Sequence, residues 1–110
     1  MIIEMRTYTL RPGSTAEYFR IYEAEGLALQ RSILGNYLGS YRSEIGPLNQ
    51  VVHLWGFDSL DERQSRRDRL AADPQWQRAV DLFIGFFVAQ ESKILLPAAF
   101  TGPIAMACAM

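Results

Sequence analysis

The sequence predicts one α+β domain of ferredoxin-like βαββαβ type, an antiparallel sheet with helices on one face. Three observations carry this. The chain opens on an alternating apolar–polar run, Ser-x-x-Glu signatures stand where two helices would begin, and two strand-like runs lie between those helices. The order strand, helix, strand, strand, helix, strand is the split βαβ pattern.

Residues 2–10 (IIEMRTYTL) put Ile3, Met5, Thr7 and Thr9 on one face and Glu4, Arg6, Tyr8 and Leu10 on the other. Arg11-Pro12-Gly13 ends this strand. Ser14-Thr-Ala-Glu17 reads as a capping box opening a helix over 15–33. Tyr18, Phe19, Tyr22, Leu29 and Ile33 form its apolar stripe, Gly26 is its weak point, and Gly35-Asn36 terminates it. Runs 37–44 and 50–57 form a hairpin around 45–49 (IGPLN), where proline presets φ for a turn. A second capping box, Ser59-Leu-Asp-Glu62, opens a charged helix to about Ala72. Asp73-Pro74 is a fresh N-cap with proline in the first turn, and the helix after it carries a stripe of Trp76, Val80, Phe83, Ile84 and Phe87. A last strand over 88–96 is closed by Pro97. The domain therefore spans 1–100, and 101–110 is a small, apolar, unpatterned tail.

Composition narrows the function classes. The 110 residues suit one domain, and 49% are apolar against 21% charged, as in a soluble globular protein. A net charge of −1 gives no general attraction to phosphate backbones, so nucleic acid is not an expected partner. The longest apolar stretches, 82–89 and 94–100, are too short to insert into a membrane, and the charged opening does not read as a signal peptide. Cys108 is the single cysteine and cannot form an internal disulfide, which points to a reducing, cytoplasmic setting. One histidine without spaced Cys or His partners predicts no metal site, and no cofactor motif is present. Haem ligation by His53 is the one cofactor role that remains open. Arg63, Arg66, Arg67 and Arg69 interleave with Asp61, Glu62 and Asp68 and read as a solvated helix face. Both faces of the first strand carry apolar groups, so the sheet face away from the helices is expected to bury itself against a second copy, giving a homodimer.

Four segments resemble NIPSNAP-family domains: residues 4–13 (EMRTYTLRPG), 44–55 (EIGPLNQVVHLW), 73–76 (DPQW) and 90–97 (QESKILLP). They fall in order across residues 1–100. The resemblance implies a dimeric α+β barrel in which two ferredoxin-like sheets close against each other. It carries no settled chemistry onto particular residues. Related barrels include cofactor-free monooxygenases, haem-degrading enzymes and small isomerases, which is analogy at the level of fold.

Candidate chemistry gathers on two strands. Glu4, Arg6 and Tyr8 share a face of the first strand, and Val51, His53, Trp55 and Phe57 share a face of the third. The first and third strands are central neighbours in this fold, so matching faces would join these residues into one patch, and a one-residue slip would separate them. His53 is the candidate acid or base, Arg6 the fork for a carboxylate or enolate, and Tyr8 a hydrogen-bond donor. Glu4, Trp55, Phe57 and Tyr22 are candidates for binding a ligand. The structural alternatives are specific. Glu4 and Arg6 could neutralise each other at the dimer interface, Trp55 and Phe57 could fill the core, and His53 could be a satisfied interior histidine. Tyr18 and Tyr22 are expected to face the core or line a cleft between helix and sheet. The functional expectation is a dimeric domain binding a small acidic or aromatic molecule near His53 and Arg6. Its alternatives are a monooxygenase- or isomerase-like enzyme, and a purely structural or protein-interaction dimer.

Overall fold

In the computed structural model of the chain, residues 1–102 are described; the tail beyond them, with Cys108, lies outside the described residues. The elements run β1 (Ile2–Leu10), α1 (Thr15–Glu25), α2 (Leu27–Leu34), β2 (Asn36–Arg42), β3 (Gln50–Phe57), α3 (Leu60–Ala72), α4 (Pro74–Phe83), a 3₁₀ turn (Ile84–Phe86) and β4 (Phe87–Leu95). All strand pairs are antiparallel and the sheet order is β2-β3-β1-β4, so the fold is ferredoxin-like. No helix among the described residues is long and apolar enough to cross a membrane.

Local chemistry explains where the elements begin and end. Ser59 caps α3 as expected, its Oγ accepting from the Glu62 amide, while the Glu62 carboxylate reaches back to the Asp58 amide. Asp73 caps α4 by accepting from the Gln75 and Trp76 amides. The first capping box does not form. Ser14 instead donates from Oγ to the Arg11 carbonyl at 2.6 Å, closing the tight turn after β1, and Glu17 pairs with Arg20. The helix expected over 15–33 is two helices joined at Gly26. A Cβ there would stand 3.2 Å from the Trp76 ring, so the break lets Trp76 of α4 pack closely. Ile84 leaves the expected apolar stripe and is exposed because α4 ends at Phe83, while Phe87, expected on the same stripe, opens β4 and packs on the Tyr8 ring with centres 4.5 Å apart.

The core has an unusual layering. One apolar cluster gathers Tyr8, Leu10, Tyr18, Tyr22, Val51, Ala79 and Phe83 at one end of the central strands. A second gathers Ile2, Leu34, Trp55, Phe57 and Leu70 at the other end. Between them on β1 lie Glu4 and Arg6, and between them on β3 lies His53. A polar layer therefore divides the space between sheet and helices. The opposite sheet face presents Ile3, Met5, Val52, Leu54 and Leu95, and none of the described helices covers it.

Candidate functional site

The β1–β3 register pairs Glu4 with Trp55, Arg6 with His53 and Tyr8 with Val51. The alternation of both strands thus brings Glu4, Arg6, Tyr8, His53, Trp55 and Phe57 onto one face, which is the helix-covered one. Glu4 and Arg6 consequently do not neutralise each other on the open sheet face; their contacts lie under α3. Within this face the side chains divide into two hydrogen-bonded networks.

The first network is a relay through His53. Its Nε2 lies 2.8 Å from Tyr18 Oη and its Nδ1 lies 2.6 Å from Ser40 Oγ. The Tyr37 hydroxyl donates to Ser40 Oγ at 2.6 Å. Tyr18 is buried and has no other acceptor among the described residues, so an orphaned phenol hydrogen would carry a desolvation cost of about 1–3 kcal/mol. That accounting assigns the tautomer. Tyr18 donates to Nε2, Nδ1–H donates to Ser40, and the Ser40 hydroxyl hydrogen is left for an outside acceptor. Burial, and then the charges of Arg6 and Arg67, push the imidazole down to about 4. His53 is neutral near pH 7. Burial and the neighbouring tyrosines push the Tyr18 phenol far above its usual value, so it remains a donor. Tyr22 lies against the imidazole with ring centres 4.7 Å apart, and its hydroxyl donates to buried Gln30. Both ring nitrogens of His53 are engaged, which leaves neither free to ligate haem or a metal.

Ser40 reaches this face through a bulge. Tyr37 pairs with Trp55 and Ser40 with His53, with a register shift between Tyr37 and Gly39. Three positions apart on a regular strand, Tyr37 and Ser40 would point to opposite sides; the inserted residue puts both beneath the helices. Gly39 permits this with φ 142°. A glycine inside a strand-like run is the sequence signal that could have marked Ser40.

The second network centres on Glu4, which is fully buried. Arg63 binds both of its carboxylate oxygens at 2.7 and 3.2 Å, Arg67 Nε donates at 3.2 Å, Arg6 Nη1 at 3.1 Å and Ser92 Oγ at 2.7 Å. Burial alone would raise this carboxyl; hydrogen bonds from Arg63 and Ser92 and the charges of Arg67 and Arg6 hold it down at about 2. Arg6 also donates from Nε to Tyr8 Oη at 2.8 Å. The arginine face of α3 is thus not simply solvated: Arg63 and Arg67 turn inward, and Arg66 donates to the Ile33 carbonyl at 2.9 Å. Sequence reading missed them because their partner lies on β1, far along the chain.

A trough of about 460 Å³ opens beside the relay, walled by Phe19, Tyr22, Leu27, Tyr37 and Ser40, with Arg20 and Glu23 at the rim. Of the residues singled out from sequence, Tyr22 lines it directly and His53 reaches it through Ser40. Trp55 and Phe57 are core residues, Trp55 packing on the Tyr37 ring at 4.9 Å between centres. Glu4, Arg6 and Tyr8 belong to the second network.

The chain matches the NIPSNAP family model over residues 3–102. It is 34% identical over 94 residues to the "Protein NipSnap homolog" of Dictyostelium discoideum, covering 86% of this chain and 41% of that protein. The solved structure of a NIPSNAP-like domain protein from Burkholderia xenovorans shares 44% identity and superposes with a TM-score of 0.92, covering 98% of this chain and 94% of that one. A protein described as an antibiotic biosynthesis monooxygenase from Nitrosomonas europaea superposes at a TM-score of 0.65 with 7% identity, covering 91% of this chain and 100% of that one, and shares the fold alone. The chain spans 41%, 19% and 40% of the Dictyostelium, Caenorhabditis elegans and human 3B relatives, less than half of each.

The relay makes stability depend on pH in a defined window. Unfolded, His53 titrates near 6.5, and folded, near 4. As pH falls the unfolded chain takes up the proton first. The stabilisation is therefore complete above 6.5 and is lost on the way down to 4, by about 3 kcal/mol. Glu4, with 4.5 unfolded and about 2 folded, stabilises the fold fully above 4.5 and loses that stabilisation only as pH falls from 4.5 toward 2, outside the window set by His53. Urea denaturation at stepped pH should show stability falling between 6.5 and 4.5, with that slope absent in His53→Gln. A wild-type profile flat across this window would contradict a buried neutral imidazole.

Proposed function

The chain belongs to the NIPSNAP family, and from that premise we propose that it is a cytoplasmic homodimeric domain that binds a small aromatic molecule carrying an acceptor oxygen. The observation that carries this reading is the Ser40 hydroxyl. It stands on the wall of the trough with its hydrogen unclaimed, and the His53–Tyr18 chain and Tyr37 hold its oxygen in place. Phe19, Tyr22, Leu27 and Tyr37 offer flat apolar surface around it. A carbonyl or phenolate oxygen would take the Ser40 hydrogen while the ring packs on these walls. His53 is then a neutral positioning residue, since an imidazole held near 4 is a poor proton carrier at pH 7. A monooxygenase- or isomerase-like activity has only the likeness of fold behind it.

The dimer is supported by the apolar sheet face opposite the helices. Ile3, Met5, Val52, Leu54 and Leu95 form a continuous patch across β3, β1 and β4, with Tyr41 of β2 at its margin. Patches of this kind on a small domain mark association surfaces.

Two measurements check the proposal. With 2-acetylnaphthalene as probe, isothermal titration calorimetry should give saturable binding that Ser40→Ala weakens about five- to tenfold; the variant stays folded but melts several degrees lower, because the buried His53 Nδ1–H loses its acceptor. Absence of saturable binding by this probe and by other aromatic ketones would remove the trough as a ligand site. Light scattering at micromolar concentration should report twice the chain mass, with Leu54→Glu converting the protein to monomer. A monomeric wild type would remove the sheet face as an interface.

A further inference from the structure

The Glu4 network holds more positive charge than Glu4 can neutralise. Arg6, Arg63 and Arg67 all form ion pairs with this single carboxylate, leaving a net charge of +2. No other acid relieves them among the described residues. Glu62 on α3 is engaged by Arg66, Asp68 by Gln64, and Glu91 of β4 lies on the opposite sheet face beside Lys93. The three guanidinium groups are largely withdrawn from water, with side-chain exposures of 22%, 24% and 15%. Confining like charges this way is unfavourable unless something answers it. Satisfying one buried carboxylate requires one forked arginine, and Arg63 already binds both oxygens.

Donor capacity is left over as well. Arg67 Nη2 is buried 3.2 Å from Glu4 Oε1 but makes no hydrogen bond, and Arg6 Nη2 has no partner among the described residues. The β4 edge borders the cluster. Ser92, the register partner of Arg6, and Gln90, the partner of Tyr8, are exposed there on the helix side of the sheet. The uncompensated charge is also felt at a distance, since Arg6 and Arg67 both help to hold His53 down.

We propose that this cluster is a phosphate-binding site, in which Arg6, Arg63 and Arg67 take the phosphoryl group of a phosphate monoester at the β4 edge above Ser92, with Glu4 fixed beneath them. A phosphate monoester carries about two negative charges near pH 7, which matches the excess, and guanidinium forks fit its oxygens. A single carboxylate would leave one positive charge unanswered. The site is separate from the aromatic trough and does not rest on the reading given to that trough.

Inorganic phosphate is the probe. At pH 7.5 and constant ionic strength set with sodium chloride, calorimetry should show one phosphate bound per chain. Arg67→Gln should weaken it about tenfold to a hundredfold, and the exposed Arg42→Gln should leave it unchanged. Heats indistinguishable from those of chloride, or equal losses in both variants, would overturn the site. Binding of succinate but not phosphate would overturn the assignment to phosphate. Should Arg67→Gln fail to fold, the wild type decides through its one histidine. Sulfate, a dianion at all relevant pH, should raise the His53 imidazole pKa followed by NMR by roughly one unit relative to chloride. No shift would overturn the proposal.

Discussion

A carboxylate buried in the middle of a β-sheet has to be answered by charge, and the answer to Glu4 organises this domain. Arg6 answers from the same strand, Ser92 from β4, and Arg63 and Arg67 from α3. One side chain thereby ties a central strand, an edge strand and a helix to a common point. Apolar packing could supply comparable stability at such a position, but removing one partner of a buried pair costs about 3–5 kcal/mol. The elements are therefore fixed relative to one another in register as well as in distance. Slipping β1 by one residue would carry Glu4 to the open face and leave the α3 arginines facing apolar side chains.

The same choice shapes the chemistry beside it. Polar groups at the centre divide the core into two apolar clusters, and each borders a different part of the polar layer. Toward the aromatic cluster, His53 is packed by Tyr18 and Tyr22, and it is kept neutral by burial and by the neighbouring guanidinium charges. A neutral imidazole with both nitrogens engaged cannot store a proton at physiological pH, but it holds a serine hydroxyl in one orientation at the trough wall. The arginine network and the aromatic relay are therefore coupled electrostatically although they open on different sides of the domain.

Much of this arrangement was legible in the chain. Two alternating runs grouped Glu4, Arg6 and Tyr8 on one face of β1 and His53 and Trp55 on one face of β3, because the side-chain period is two; joining the two groups depended on the β1–β3 register. The second capping box and the Asp73-Pro74 start were likewise local signals with local outcomes. What escaped was set by contacts between distant segments. Arg63 and Arg67 look like solvated residues when weighed against their neighbours on α3, since nothing local shows that Glu4 claims them. Ser40 escaped because the bulge at Leu38-Gly39 breaks the alternation that sequence reading relies on. Ser14 escaped in the opposite sense, its hydroxyl preferring the carbonyl of the preceding turn over the helix amides.

The Glu4–arginine contact fixes α3 onto the sheet. A double-mutant cycle of Glu4→Gln and Arg63→Gln, read by urea denaturation at pH 7, tests it most directly. The account predicts that each single substitution costs about 3 kcal/mol or more, and that the pair costs about 2 kcal/mol less than the two added together. Single losses below about 0.5 kcal/mol that simply add would mean that Glu4 and Arg63 do not depend on each other, and the account would be wrong at its centre.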